Sequence, residues 1–180
     1  MDAFATPRLK ATKLAREDLP DLVQLHLDSE VSRFLGGVRA PSATATYLET
    51  NLRHWADRGL GLWTLRTGDG AFIGRAGLRH VELEGVLELE LAYTFVRSAW
   101  GQGFATEASA AMVTYAFDDG DLDYLTIGHF ADNPASARII TKLGFILQGE
   151  ISRDCVARDE KARCLTYRLE RGTSQSAVSR

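Results

Sequence analysis

Among its 180 residues the chain has two cysteines, Cys155 and Cys164, and four histidines scattered at 26, 54, 80 and 129. No C-x-x-C pair and no Cys/His set has zinc-ligand spacing, so the sequence offers neither a metal centre nor a disulfide framework. Apolar runs are short, far below the ~18 residues that a membrane-spanning helix needs. The opening Met1-Asp2-Ala3-Phe4-Ala5 lacks the basic start and long apolar stretch of a signal peptide. Charge of neither sign dominates: 21 basic and 24 acidic side chains leave a formal net charge of −3. That balance points to neither nucleic acid nor membrane as a partner. The expectation is a soluble, cytoplasmic protein with reduced thiols.

Repeats and interdomain linkers are also missing. A length of 180 residues is the size of one domain and can bury a core without covalent staples. Residues 1–171 read as that domain. Gly172 to Arg180 is small and polar and reads as a frayed tail.

Strand-like patterns are expected at Arg8 to Leu14, Leu60 to Arg66, Ala71 to Arg79, Val86 to Val96, Asp123 to Phe130, Phe145 to Cys155 and Ala162 to Leu169. Helical spacing is expected from Glu17 or Asp18 through His26, from Ala43 to Asp57, after the glycines at 101 and 103, and from Asn133 to Leu143. Gly68-Asp69-Gly70 and Glu84-Gly85 mark turns of an antiparallel meander. Helices from both ends of the chain around a mostly antiparallel sheet define an α+β or mixed α/β domain.

The richest stretch follows the fourth strand. There Leu87, Leu89, Leu91, Tyr93 and Phe95 alternate with Glu88, Glu90, Ala92 and Thr94. Arg97-Ser98-Ala99-Trp100-Gly101-Gln102-Gly103-Phe104-Ala105-Thr106-Glu107 then leads into a helix. Glycine admits positive φ and close approach of a ligand, and a helix start supplies unpaired N–H groups and a positive dipole end. A pyrophosphate suits such a place. The spacing Gly101-x-Gly103-x-x-Thr106 partly imitates a dinucleotide fingerprint, with Asp121 about 20 residues on. The third glycine is missing, however, and the loop does not open a βαβ array. A P-loop would require a lysine that is not there.

This string resembles the signature of the GCN5-related N-acetyltransferase family. The likeness is to its branch of ribosomal-protein N-terminal alanine acetyltransferases and spans about Arg8 to Leu169. The family's Q/R-x-x-G-x-G/A loop, which binds the coenzyme A pyrophosphate, matches at Trp100, Gly103 and Ala105; Trp100 departs from the usual Gln or Arg. The resemblance implies a central twisted sheet of six to seven strands flanked by about four helices. It implies acetyl-CoA as cosubstrate, with Phe95, Val96, Trp100, Gly101, Gln102, Gly103, Phe104, Ala105 and Thr106 around it.

A second string, Asn133-Pro134-Ala135-Ser136 through Lys142-Leu143-Gly144-Phe145, reads on its own as an N-cap, a first-turn proline and a glycine-terminated helix. It also resembles the family's N-x-x-S-x-x-x-x-x-K-x-G-F segment. By that likeness Asn133 meets the cofactor and Ser136 is the candidate acid for the leaving thiolate. Glu90, in Glu90-Leu91-Ala92-Tyr93, is the matching candidate base, with Glu88, Glu150 and Asp154 as other carboxylates. Arg33, Phe34, Trp63 and Tyr93 are expected at the acceptor, although core packing explains Trp63 and Tyr93 about as well. The reaction implied is transfer of acetyl to a primary amine, either a protein N-terminus or a small amine, by direct attack. A non-catalytic acyl-CoA sensor is the rival reading. The resemblance leaves a homodimer open and implies no metal.

Overall fold

In the computed structural model, residues 2–83, 85–118, 122–155 and 160–172 are described. Side chains of Asp154, Cys155 and Glu160 lie outside that set, as do Glu84, Asp121 and the expected tail after Gly172.

The described strands are β1 (Ala3–Ala5), β2 (Leu9–Lys13), β3 (Leu62–Thr67), β4 (Phe72–Leu83), β5 (Val86–Phe95), β6 (Tyr124–Phe130), β7 (Ile146–Cys155) and β8 (Glu160–Glu170). They form one sheet in the order β1-β2-β3-β4-β5-β6-β8-β7. Every neighbouring pair is antiparallel except β5 and β6. The fold is therefore the mixed α+β architecture expected, with one strand more: the three-residue β1, too short for any periodicity, pairs with β2 through Phe4↔Ala11.

The helices are α1 (Leu19–Leu27), α2 (Ser29–Ser32), α3 (Pro41–Arg58), α4 (Phe104–Asp118) and α5 (Pro134–Lys142). Pro41 opens α3, where its missing N–H costs nothing, and Gly59 ends it at φ 69°. The expected helix start near Glu17 is instead a short 3-10 turn, Arg16–Asp18, leading into α1. There Asp18 serves as an anchor. Its Oδ2 accepts from Ala15 N at 3.0 Å and Thr64 Oγ1 at 2.6 Å, and its Oδ1 from Arg66 at 3.2 Å. This ties the entry of α1 to β3.

Two apolar cores result. The larger joins Leu89, Leu91 and Phe95 of β5 to Ala108 and Met112 of α4 and Ile140 of α5. The smaller gathers Leu22 and Leu25 of α1, Val31 of α2 and Leu48 of α3, with Ala92 packed against it. Alternation along β5 thus sends its odd residues toward α4 and α5, and Ala92 toward α1 to α3.

Candidate active site

β5 and β6 run parallel but pair at one register, Glu90↔Thr126. Thr126 Oγ1 reinforces this point by donating to Leu89 O at 2.9 Å. Beyond it lies a cavity of about 600 Å³, walled by Leu91 to Phe95 on β5 and Ile127 to Phe130 on β6.

At the end of β5 the chain makes a 3-10 turn over Arg97–Ala99 and then the glycine loop. Gly101 has φ 74° and Gly103 φ 81°, conformations that a side chain strains. The first α4 bond is Glu107 N to Gly103 O, so the amides of Phe104 to Thr106 precede the helical ladder. They start a 15-residue helix beside the cavity, a cradle that fits an anionic pyrophosphate. Trp100 donates from Nε1 to Phe95 O at 2.9 Å, and its ring lies 6.5 Å from Phe34 across the cavity rim. Arg8, a residue sequence reading passed over, braces the loop. It donates to Gln102 O at 2.8 Å and Glu107 Oε2 at 2.6 Å, and its guanidinium lies 4.4 Å from the Phe104 ring centre. Burial would raise the Glu107 pKa, but bonds from Thr6 and Arg8 bring it below the ordinary value.

On the same side of the sheet, Asn133 Oδ1 accepts from Ser136 N at 3.1 Å and caps α5. Ser136 is 7% exposed, and its hydroxyl lies 2.7 Å from the hydroxyl of Tyr93. Burial pushes the Tyr93 phenol up to about 12, its bond to Ser136 only partly opposing this. The expected helix serine is therefore joined by a tyrosine from the neighbouring strand. Tyr93 had been expected against the acceptor; it lines the cavity, but on the Ser136 side.

The opposite side is cationic. Glu90, 2% exposed, accepts on Oε2 from Arg79 Nε at 3.0 Å and Nη2 at 2.7 Å, and on Oε1 from Arg153 Nη2 at 2.9 Å. Burial alone would raise its pKa; the two guanidiniums more than offset this and hold the carboxyl below its ordinary value. Arg153 comes from β7 and reaches Glu90 across β8 and β6. It passes Gly128, where a Cβ would already lie 3.5 Å from the guanidinium and 3.6 Å from Glu90 Oε1. Arg39 and Arg75 also line this wall, both against the ring of Tyr47. His26 is buried beneath them; burial, then Arg75 and Arg39, drive its pKa down to about 3, so it is neutral.

Other expected residues lie elsewhere. Trp63 is 0% exposed and packed edge-on against Phe4, Trp55 and Tyr115, so it belongs to the core and not to an acceptor slot. Arg33 is exposed, paired with Glu30 at 3.5 Å, and does not line the cavity, whereas Phe34 does. Val96 and Gln102 are outside the cavity wall; Gln102 Nε2 turns back to Ser98 O. Glu88 raises the Tyr124 phenol pKa through a hydrogen bond and does not line the cavity. No cluster of metal-ligating side chains occurs among the described residues. No described helix is long and apolar enough to cross a membrane.

A half-opened parallel seam, a glycine loop feeding a helix start, and a buried hydroxyl pair thus border one cavity, an arrangement that suits an acyl-coenzyme A transferase. Comparison with known proteins gives the family. Residues 8–146 match the model of the Acetyltransferase (GNAT) domain. The chain belongs to the GNAT acetyltransferase family and is an acetyl-CoA-dependent N-acetyltransferase. It is similar to YkkB of Bacillus subtilis, 29% identical over 120 residues, or 65% of this chain and 69% of that one. Its fold matches an acetyltransferase from Agrobacterium tumefaciens with a TM-score of 0.79 at 25% identity, covering 94% of this chain and 95% of the other. It also matches, at TM-score 0.77 and 17% identity over 92% and 96% of the two chains, an acetyltransferase of Salmonella typhimurium that modifies the N-terminal serine of ribosomal protein L7/L12.

Proposed function

We propose that the enzyme acetylates a primary amine by direct attack on acetyl-CoA, with no acyl-enzyme intermediate. The observation that carries this is the single-register seam between β5 and β6, which leaves a cleft joined to the glycine loop. In this reading the pyrophosphate rests on Gly101, Gly103 and the amides that start α4. Arg138 and Lys142, one turn apart on the cavity side of α5, meet further phosphate oxygens. The thioester then lies along Leu91 to Tyr93. The amine nitrogen bonds to the carbonyl carbon, the carbon–sulfur bond breaks, and sulfur leaves with its electron pair. The Ser136–Tyr93 pair donates a hydrogen bond to it. A phenol near 12 stays protonated, while an ordinary thiol titrates near ~8.5. The pair therefore stabilises the thiolate, and the proton released by the amine balances the one sulfur finally gains.

Glu90 takes a different part from that of a strong base. Its depressed pKa leaves little driving force for removing a proton from an ammonium group. An α-amine, titrating near ~8, arrives partly neutral without help. Glu90 is then a positioning residue for Arg79 and Arg153. A cytoplasmic setting, in which the buried Cys164 remains a thiol, belongs to the same proposal. The test is a thermal-shift measurement with acetyl-CoA, coenzyme A and NAD, followed by thiol release with an amine panel that includes peptides beginning with Ala, Ser or Met. Binding without thiol release from any amine would mark the chain as an acyl-CoA sensor.

A further inference from the structure

Arg39, Arg75, Arg79 and Arg153 all line the acceptor side of the cavity, and Glu90 is the carboxylate that faces them there. Glu90 is already occupied by Arg79 and Arg153. His26 is neutral and adds nothing to offset the rest. A chain whose overall formal charge is −3 thus concentrates positive charge in one enclosed place.

Arg75 is the extreme case. It is 3% exposed, and no salt bridge is formed by it among the described residues. Its Nε has no hydrogen-bond partner. Its described contact is with the Tyr47 ring, 5.0 Å from the guanidinium carbon. Two more buried polar atoms in the same wall also lack partners: Tyr47 Oη and Thr94 Oγ1. Thr94 is directly opposite Arg75 in the β4–β5 register, and Tyr47 comes from α3 above it. A buried guanidinium without a counter-ion is among the least favourable arrangements a fold can hold, and buried polar groups are ordinarily paired. Arg75, Tyr47 and Thr94 line the same cavity, and a guanidinium and hydroxyls are donors that a carboxylate accepts from.

We propose that the acceptor is an amine that carries a carboxylate, and that this carboxylate is held by Arg75 with Tyr47 and Thr94. The inference rests on the N-acetyltransferase reading and narrows its acceptor. A free amino acid and a peptide with an acidic residue near its N-terminus present the same chemistry. Polyamines, which carry only positive charge, are repelled by the same wall.

The experiment compares amines matched in all but charge, by thiol release at saturating acetyl-CoA: a set of free amino acids, the corresponding amino acid amides, peptides with Asp or Asn at the second position, and spermidine. The carboxylate member of each matched pair is expected to exceed its amide in kcat/KM by about 10- to 100-fold, the range of a hydrogen bond to a charged group. Preference for the free amino acids or for the Asp peptides tells the two sources apart. In Arg75→Met this preference disappears through KM, while Arg75→Lys retains part of it. Calorimetry shows the same acetyl-CoA Kd for all three proteins. Amides or spermidine used as well as carboxylates by the parent would overturn the proposal. So would an Arg75→Met protein whose acetyl-CoA Kd weakens tenfold, since Arg75 would then serve the nucleotide. Failure of coenzyme A to bind the parent at all would instead strike the acetyltransferase reading itself.

Discussion

Replacing Glu90 by Gln keeps the side chain's size and removes its charge. Three hydrogen bonds from Arg79 and Arg153 then lose a charged acceptor, and the new amide turns an N–H group toward one guanidinium. Removing one partner of a fully buried ion pair costs about 3–5 kcal/mol. The side chains of Arg79 and Arg153 are 36% and 28% exposed, so water screens part of this. A loss of about 2–3 kcal/mol at pH 7 is expected. For a domain of this size that is a fall of about 4–12 °C in Tm. The pH dependence carries a sign. Glu90 in the folded protein titrates below its unfolded value near ~4.3, so its contribution is complete above that pH and is lost as pH falls through the folded pKa. Urea denaturation of parent and Glu90→Gln from pH 7 down to the acid limit of folding should show the gap narrowing below about pH 4.3, with m unchanged. A gap under about 0.5 kcal/mol at pH 7, or one constant with pH, would refute the ion-pair account. In the activity assay, kcat/KM profiles of the two proteins should run parallel in pH; a defect that shrinks as the amine deprotonates would restore Glu90 as the base.

Ser136→Ala and Tyr93→Phe should each lower kcat by about 10-fold or more, with the double variant little worse than either, while acetyl-CoA affinity holds. Additive losses in a rapid-quench comparison would separate the two hydroxyls. Gly103→Val forces a β-branched residue to φ 81° and should abolish the ligand-induced rise in stability, about 2.7 kcal/mol for the parent at 100 times Kd. An unchanged shift in a folded Gly103→Val protein would remove the pyrophosphate from this loop. Asp18→Ala should cost about 2–3 kcal/mol in urea denaturation, through loss of its bonds to Ala15, Thr64 and Arg66, without altering acetyl-CoA Kd.

Much of this molecule is legible from local pattern. The alternation of β5, the glycine loop and the Asn133-to-Gly144 helix each carry their own signal, because period and cap chemistry are properties of neighbouring residues. Trp63 carries two readings in the sequence because an aromatic in a strand looks the same in a core as in a slot; three ring neighbours from Phe4, Trp55 and Tyr115 decide for the core. The cationic wall had one local clue. Arg75, Gly77 and Arg79 fall on one face of β4, and charge on a face flanked by apolar residues is unusual for a central strand. The other members of the wall, Arg39, Tyr47 and Arg153, come from distant segments, and no spacing rule reaches so far. The pairing of Tyr93 with Ser136, 43 residues apart, is hidden for the same reason.

The single parallel pairing at Glu90↔Thr126 divides the molecule in folding terms. Strands β1 to β5 form one antiparallel hydrogen-bonded block; β6, β8 and β7 form another. Backbone bonding propagates within each block and almost not between them, so the blocks should open as separate cooperative units in native-state hydrogen exchange. Val96 N bonds to Ile73 O on β4, so alternation turns the amides of Ala92 and Thr94 to β4 and those of Leu91 and Tyr93 to the gap; the latter two would exchange early in the empty enzyme and slowly once acetyl-CoA fills the gap. The cosubstrate would then complete a break in the sheet, and the enzyme would be most whole at the moment it is ready to react.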